Sequence, residues 1–324
     1  MTRRTLLTIL PAAGLLLGSS AGTPAPRTRT VEADYVATVP ALPAGAHHVE
    51  IWVPVPSDRP LQSVSGVKVE GPGAYTLAKD SAGNSVAHFT LEGDASRPET
   101  TVHVRFRVER KEAVSRAATD VPDAAAKKDL LSENALVRVT PRVRALAKEI
   151  AEKAKASDPL SKAKAFYEYL VTNGTYDKTT PGWGRGDSER FCDLKKGNCT
   201  DFHSMFMALA RAEGIPVRFV MGFPLKPEKE GTVPGYHCWA EFFVEGRGWI
   251  PVDPSEASKT KDQARRDYLF GNLDPDRFEV TRGRDLWLAP RQKEGPLNLF
   301  IAPYVEVDGK AFGQTSIKLE YKDV

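Results

Sequence analysis

Short alternating runs of apolar and polar residues dominate the first third of the chain. They occupy residues 31–38, 48–55 and 101–108, and turns rich in Gly, Pro, Asp and Asn separate them. Alternation with a period of two is typical of half-buried strands. Residues 31–112 are therefore predicted to form a small antiparallel β-sandwich with Trp52 in its core.

The apolar positions change to helical spacing after residue 140. A first apolar stripe lies within residues 141–156 and comprises Val143, Leu146, Ile150 and Ala151. A second lies within residues 159–172 and comprises Ala163, Phe166, Tyr167 and Leu170. Two helices are predicted here, and residues 113–140, rich in Ala, Asp and Lys, are interpreted as a connector that leads to them.

A third helix is predicted to begin at Cys199. Asn198 is a favoured N-cap residue, because its side chain can accept a hydrogen bond from an early helical N–H. Apolar residues then repeat at helical spacing: Phe202, Met205, Phe206, Leu209 and Ala210. Gly214 is suited to end this helix, and Pro216 prevents its continuation.

A hairpin is predicted downstream of this helix. Residues 236–244 form an aromatic-rich strand, residues 245–248 a turn and residues 249–254 the next strand. Residues 217–225 are predicted to form a further strand, and residues 259–269 a short polar helix. The end of the chain, at residues 286–288, 297–307 and 315–321, is predicted to supply strands that finish this sheet.

The N-terminus has the layout of a secretory signal peptide. Arg3 and Arg4 precede a short apolar run that ends near residue 17, and small residues follow up to Ala21, where cleavage is expected. The two arginines also resemble a twin-arginine export signal. The run is too short for a transmembrane helix, and no cysteine follows it to carry a lipid anchor. The mature protein is expected to be exported, periplasmic or secreted, with residues 22–30 as a flexible leader.

The composition is that of a soluble globular protein. The chain has 324 residues, of which 41% are hydrophobic, and a length of this order permits two domains with their own cores. The formal net charge of +3 is spread along the chain without a compact basic block, so nucleic acid binding is not expected.

Cys199 is the candidate nucleophile. A thiol at a helix N-terminus faces unpaired N–H groups and the positive end of the helix dipole, which favours the reactive thiolate. Asp201 in the same turn would partly oppose that effect. A thiolate needs a base, and the base needs an orienting group. In the predicted hairpin, His237 at the start of one strand can lie beside Asp253 at the end of the other.

Four sequence blocks in this order resemble the transglutaminase-like cysteine enzyme superfamily, whose core is papain-like. The blocks are Gly197-x-Cys199-x-Asp201, Gly214-Ile-Pro-x-Arg218, His237-x-Trp239-x-Glu241 and Gly248-Trp-x-x-x-Asp253-Pro254. The resemblance covers residues 160–256. It implies that Cys199 is the nucleophile, His237 the general base and acid, and Asp253 the residue that orients His237.

Two tryptophans are further candidates for the oxyanion site or the cleft. Trp183 lies in a long predicted loop, residues 176–192, that leads to Cys199, and loops of this length are often functional. In some members of the family a tryptophan upstream of the cysteine helps to bind the oxyanion, while a packing role is the alternative for Trp183. Trp239 shares a strand face with His237 because the strand period is two.

The chain has three cysteines, Cys192, Cys199 and Cys238. A disulfide between Cys192 and Cys238 and two buried free thiols are both open alternatives. Cys238 follows His237 directly, so it is expected to point to the opposite sheet face and to be badly placed to join Cys199. For the same reason His237 and Cys238 are not expected to bind one metal ion. His203 is interpreted as a buried helix residue under the sheet.

The predicted fold class is α+β, with a small β-sandwich before a papain-like transglutaminase core at residues 141–324. The predicted function is acyl transfer at an amide bond through a thioester. Hydrolysis of an extracytoplasmic peptide or protein is favoured over amine transfer, and a binding or scaffold protein with an idle core is the third alternative. No cofactor or metal is expected, and membrane contact is expected only through the cleaved signal peptide.

Overall fold

The computed structural model describes residues 25–114 and 121–324. The predicted signal peptide, with its cleavage point after Ala21, lies outside these residues. Among the helices in the described ranges, none combines the length and the apolar character needed to cross a membrane.

The strands and helices follow the chain in this order. The first seven strands are β1 (Thr28–Val39), β2 (His48–Val55), β3 (Gln62–Glu70), β4 (Tyr75–Lys79), β5 (Ser85–Glu92), β6 (Thr100–Lys111) and β7 (Ala113–Val114). The central part contains α1 (Ala124–Leu131), α2 (Pro141–Lys153), α3 (Pro159–Asn173), β8 (Thr175–Tyr176), α4 (Ser188–Leu194), β9 (Lys196–Gly197), α5 (Cys199–Ala212), β10 (Val217–Pro224), β11 (Glu230–Val233), β12 (His237–Val244) and β13 (Gly248–Val252). The last part contains α6 (Pro254–Lys259), α7 (Gln263–Tyr268), β14 (Asn272–Leu273), β15 (Arg277–Arg282), β16 (Tyr304–Val307), β17 (Lys310–Ala311) and β18 (Ser316–Asp323).

Two five-stranded sheets form the predicted β-sandwich, in the orders β11-β18-β1-β6-β3 and β17-β16-β2-β5-β4. Alternate residues of the strands are buried between them, among them Tyr35, Val53, Phe89 and Val104. On β6 the alternation in the sequence thus has its expected physical cause, one strand face packed on the core and the other more exposed. On β2 both faces are buried, because Trp52 packs in a separate cluster with Val86, Leu286, Leu288 and Phe300 and not in the core between the two sheets.

The last strands of the chain belong to this sandwich, so the expectation that they finish the sheet of the predicted hairpin is wrong. β18 pairs with β1 from Val31↔Asp323 to Thr38↔Ser316, and β16 pairs with β2. Pairing over eight residues covers a long edge of β1 that would otherwise expose unpaired backbone groups. The boundaries of the two predicted domains stay predictions, although the sandwich draws its strands from both ends of the chain.

A four-stranded antiparallel sheet, in the order β13-β12-β10-β15, carries the predicted hairpin. Helix α5 packs on this sheet, and α2, α3 and α4 pack around α5. Almost all of α5 is buried, including polar residues of its first two turns such as Asp201 and His203, which therefore need partners inside the protein. This arrangement of a buried helix on an antiparallel sheet confirms the predicted α+β fold class.

Several boundaries differ from the sequence predictions. Residues 28–30 of the expected leader begin β1, and the expected connector contains β7 and α1. Helix α4 interrupts the long loop predicted at residues 176–192. Asp187 caps this helix, because its side chain accepts hydrogen bonds from Glu189 N and Arg190 N. The single helix expected at residues 259–269 is instead two short helices, α6 and α7.

Candidate active site

The thiol of Cys199 is held at the first position of α5. The Asn198 side chain accepts a hydrogen bond from Thr200 N at 2.9 Å, and Asn198 N donates to Asp201 Oδ2 at 2.9 Å. This reciprocal capping box fixes where the helix starts. Cys199 therefore lies in the first turn, where the backbone N–H groups have no partner within the helix, and only 2% of it is exposed.

His237 and Asp253 meet at one end of the sheet. His237 is the first residue of β12, and Asp253 follows β13 directly and caps α6. Because β12 and β13 are antiparallel, with Ala240 opposite Val252, the start of one lies beside the end of the other. His237 Nε2 is 2.7 Å from Asp253 Oδ2, and His237 lies close enough to Cys199 to lower the pKa of its thiol. The structure thus brings together the three residues predicted as the triad.

The charges around this group favour a thiolate beside an imidazolium. A hydrogen bond with Cys238, together with the hydrogen bond and charge of His237, holds the pKa of Cys199 well below its usual range although burial opposes this. Burial alone would lower the pKa of His237, but the charge and hydrogen bond of Asp253 and the contact with Cys199 raise it to about 9. Both shifts favour an anionic sulfur beside a cationic ring.

Cys238 forms no disulfide with Cys199, but the strand face on which it lies is the one that α5 covers. Its Sγ is 3.6 Å from His203 Nδ1 and 3.9 Å from Thr200 Oγ1, and burial together with the nearby Cys199 raises the pKa of its thiol well above the usual range. Helix α5 crosses the face of β12 that bears Cys238, whereas His237 stands at the end of the strand, where it can reach the tip of the helix. All three cysteines of the chain are free thiols.

Sequence reasoning missed two residues that contact Asp253. Arg277 Nη1 is hydrogen-bonded to Asp253 Oδ2, the same oxygen that faces His237. His203 was interpreted as a buried helix residue, which it is, but its Nε2 also lies 3.5 Å from Asp253 Oδ1. The spacing of Cys199 and His203 on one helix face was a usable signal for His203, whereas Arg277 lies beyond the four sequence blocks.

The carboxylate of Asp253 is fully occupied. Its Oδ1 also accepts hydrogen bonds from Ser255 Oγ at 2.8 Å and Glu256 N at 2.9 Å. Burial alone would raise the pKa of Asp253, but the charges of His237 and Arg277 hold it well below its usual range. Asp253 is therefore an ionised, rigidly held acceptor for the imidazole, the arrangement that a base-orienting group requires.

A cleft of about 430 Å³ opens beside His237. Most of its lining is charged, and it includes His237, Glu256, Arg265, Asp274, Asp276 and Arg277. Lys226, Pro227 and Val233 line it as well. Glu256 Oε1 lies 4.0 Å from His237 Nδ1, so the cleft reaches the ring nitrogen that does not face Asp253.

Asp201 ties the loop of residues 177–187 to the start of α5. Its carboxylate accepts hydrogen bonds from Gly184 N at 2.7 Å and Gly186 N at 2.9 Å, in addition to the bond from Asn198 N. Gly197 permits this approach, since a Cβ there would lie 2.3 Å from Asp201 Oδ2. Burial raises the pKa of Asp201 although the three N–H groups oppose the shift.

The two candidate tryptophans have different surroundings. Trp183 is 41% exposed and precedes Gly184, which lies against the Asn198 side chain, so Trp183 stands close to the tip of α5. Its role at an oxyanion stays a prediction. Trp239 is fully buried in a cluster with Ala113, Val220 and Leu273, and its Nε1 donates to Glu241 Oε1 at 3.3 Å. Trp239 therefore does not line the cleft as predicted. Neighbouring strand residues point to opposite faces, so Trp239 lies on the face of β12 away from Cys238 and α5.

In residues 25–114 and 121–324, no group of three or more His, Cys, Asp or Glu side chains could hold a metal ion.

Comparison with known proteins agrees with this architecture. Residues 144–254 match the Transglutaminase-like superfamily. An uncharacterized protein of Haemophilus influenzae is 29% identical, over 86% of this chain and 87% of its own length. The uncharacterized protein YebA of Bacillus subtilis is 28% identical over 36% of this chain and 17% of its own length.

A solved structure from Cytophaga hutchinsonii, provisionally described as a cysteine protease, has a TM-score of 0.62 with 15% identity. The similarity covers 93% of this chain and 92% of that one, so nearly the whole fold is shared. The resemblance drawn from the four sequence blocks is confirmed, and residues 144–254 form a transglutaminase-like core.

Proposed function

We propose that this protein transfers an acyl group from an amide through a thioester on Cys199, and that water is the usual acceptor. The observation that carries the proposal is the buried set of Cys199, His237 and Asp253, in which the imidazole is hydrogen-bonded to the carboxylate at one end of the sheet, beside the helix start that bears the thiol. A thiolate–imidazolium pair supplies a nucleophile and a proton donor at the same place.

The chemistry proceeds in two steps. The Cys199 sulfur attacks the amide carbonyl carbon, and His237 donates its proton to the departing amine, which leaves a thioester and a neutral imidazole. His237 then takes a proton from water as water attacks the thioester, and Cys199 leaves as the thiolate. Asp253 holds the ring in one tautomer and stabilises the imidazolium in both steps. The backbone N–H of Cys199 in the first turn of α5 is suited to bind the oxyanion.

The charged cleft beside His237 supports a polar peptide or protein segment as the substrate. A primary amine in place of water would make the protein a cross-linking transglutaminase, and the same residues would serve. The provisional description of the Cytophaga hutchinsonii structure as a cysteine protease favours water as the acceptor. Export through the segment of residues 1–21 would place this reaction outside the cytoplasm.

The test is incubation of the full chain with a labelled peptide library, with and without an added primary amine, followed by mass spectrometry. Shortened or deamidated peptides support hydrolysis, and peptides that gain the mass of the amine with loss of ammonia or of a leaving peptide support transfer. The Cys199→Ala protein is the negative control and Cys192→Ala the matched positive control. If the Cys199→Ala protein retains turnover, the mechanism is wrong.

A further inference from the structure

Arg277 is buried against the orienting carboxylate of the candidate triad. Only 5% of it is exposed, and its Nη1 contacts the same Asp253 oxygen that lies 2.7 Å from His237 Nε2. A buried arginine beside a buried carboxylate is costly to form unless the pair is well hydrogen-bonded. Here both carboxylate oxygens are bound, Oδ1 by Ser255 and Glu256 and Oδ2 by His237 and Arg277, so neither oxygen of Asp253 lacks a donor.

The sheet topology explains why Arg277 reaches this point. Strands β12 and β15 both run antiparallel to β10, which lies between them, so they start at the same end of the sheet. His237 and Arg277 are their first residues, and Asp253 follows the end of β13 at the same place. Gly222 permits the close approach of β15, since a Cβ at Gly222 would lie 1.8 Å from the carbonyl oxygen of Phe278.

Charges alternate in sign from the nucleophile outward. The order is the Cys199 thiolate, the His237 imidazolium, the Asp253 carboxylate and the Arg277 guanidinium. Arg277 Nε in turn lies 3.8 Å from Asp274 Oδ1, and Arg265 Nη2 lies 2.7 Å from Asp274 Oδ2 at the mouth of the cleft. Without Arg277, the buried group of Cys199, His237 and Asp253 would carry a net negative charge.

We propose that Arg277 is a positioning residue that keeps the Asp253 carboxylate ionised and aimed at His237, and thereby supports the Cys199 thiolate. The proposal rests on the thiolate–imidazolium pair of the proposed function. Arg277 touches no reacting atom, so it acts through Asp253. Its loss therefore shifts the acid–base behaviour of the site and not only the stability of the fold.

The charged and titratable groups that face this site come from several elements. Around Cys199 they are His203 on α5, His237 and Cys238 on β12, Tyr176 on β8 and Tyr236 before β12. Around Asp253 they are His203, His237, Arg277, Glu256 on α6 and Tyr167 on α3. Arg277 is the permanent cation in this set, so its removal lowers the positive charge that stabilises the thiolate.

The experiment measures the rate of alkylation of Cys199 by iodoacetamide as a function of pH, in the full chain, by peptide mapping. The rate rises with pH as the Cys199 thiol ionises, and we call this rise the acid limb. For Arg277→Met we expect its midpoint to move upward by about 0.5 to 1 pH unit, which lowers the rate on that limb about three- to tenfold. Arg277→Lys keeps the charge and should restore most of the shift. Arg211→Met is the control, because Arg211 is also buried, at the far end of α5, where it bonds Leu130 O and Asn134 Oδ1.

The possible outcomes distinguish failure of the Arg277 proposal from failure of the proposed function. An unshifted midpoint in a folded Arg277→Met protein, or an equal shift in Arg211→Met, overturns the role of Arg277. An unactivated Cys199 in the wild-type chain overturns the proposed function instead. If Arg277→Met does not fold, the pH profile of alkylation is measured for Asp274→Asn instead. This variant removes the negative charge beside Arg277, so the charge of Arg277 is less neutralised. The midpoint should then move downward, and an unchanged or upward midpoint overturns the proposal.

Discussion

His237 Nε2 lies 2.7 Å from Asp253 Oδ2 across an antiparallel hairpin, although the two residues are 16 positions apart in the chain. This contact leaves Nδ1 of the ring as the nitrogen available to Cys199. It fixes the imidazole in the orientation that proton transfer to and from the sulfur requires.

Substitution of Asp253 should lower turnover more than substrate affinity, because its carboxylate contacts His237 and not the cleft. We expect a loss of about 10- to 1000-fold in kcat, smaller than in a serine triad, since a cysteine depends less on its base. Asp253→Asn should be milder than Asp253→Ala, which also removes the hydrogen-bond acceptor of the buried Arg277. Steady-state kinetics with circular dichroism as the folding control is the measurement. Unchanged turnover in a folded Asp253→Ala protein would leave a Cys199–His237 dyad.

At alkaline pH, the rate of turnover should fall while the rate of alkylation does not. The pKa of His237 is raised to about 9, so its proton is present below that pH and is lost above it. Turnover needs this proton for the leaving amine and should fall as pH rises through about 9. Alkylation needs only the thiolate and should continue there. The measurement is both rates on one preparation, and a parallel fall of the two rates would argue against His237 as the general acid.

Loss of the Cys238 thiol should make Cys199 less reactive on the acid side. A hydrogen bond with Cys238 contributes most to the lowered pKa of Cys199, so Cys238→Ala should raise that pKa and move the acid limb of alkylation to higher pH. Cys192 lies on α4, and Cys192→Ala should leave the profile in place. Identical profiles for both variants would show that Cys238 has only a packing role.

Asp201→Asn should destabilise the loop of residues 177–187. An amide can accept hydrogen bonds through one atom only, so one or more of the buried N–H groups of Gly184, Gly186 and Asn198 would lose its acceptor. We expect a loss of about 1 to 3 kcal/mol in the free energy of unfolding, measured by urea denaturation. Asp193→Asn, an exposed acid on α4, is the control and should change stability by less than about 0.5 kcal/mol. An equal change in both would mean that Asp201 does not hold the loop.

The sequence was sufficient to predict the parts of the fold and site that depend on local patterns. The cap at Asn198, the buried helix after Cys199 and the hairpin that joins His237 to Asp253 all follow from periodicity and turn residues over short distances. The sandwich strands at residues 31–38, 48–55 and 101–108 follow in the same way.

Long-range pairing could not be predicted in this way. Nothing in the alternation of β18 indicates that its partner is β1, about three hundred residues earlier, because any strand of matching pattern could pair with it. Arg277 reaches Asp253 for the same reason, through the order of strands in the sheet. The strand period places Cys238 on the face of β12 opposite to that of His237. Which of the two faces α5 covers is set by helix packing, so the approach of Cys238 to this helix could not be predicted.

The central claim is that Cys199 is an activated nucleophile, and site-resolved alkylation tests it without a known substrate. The folded chain is treated with iodoacetamide at about pH 6.5, two units below the ordinary thiol pKa of about 8.5, and each cysteine is quantified by mass spectrometry against a synthetic peptide of residues 196–203. We predict that Cys199 reacts much faster than the peptide thiol, and that His237→Ala removes this advantage. A Cys199 that reacts no faster than the peptide would contradict the account and indicate an idle core.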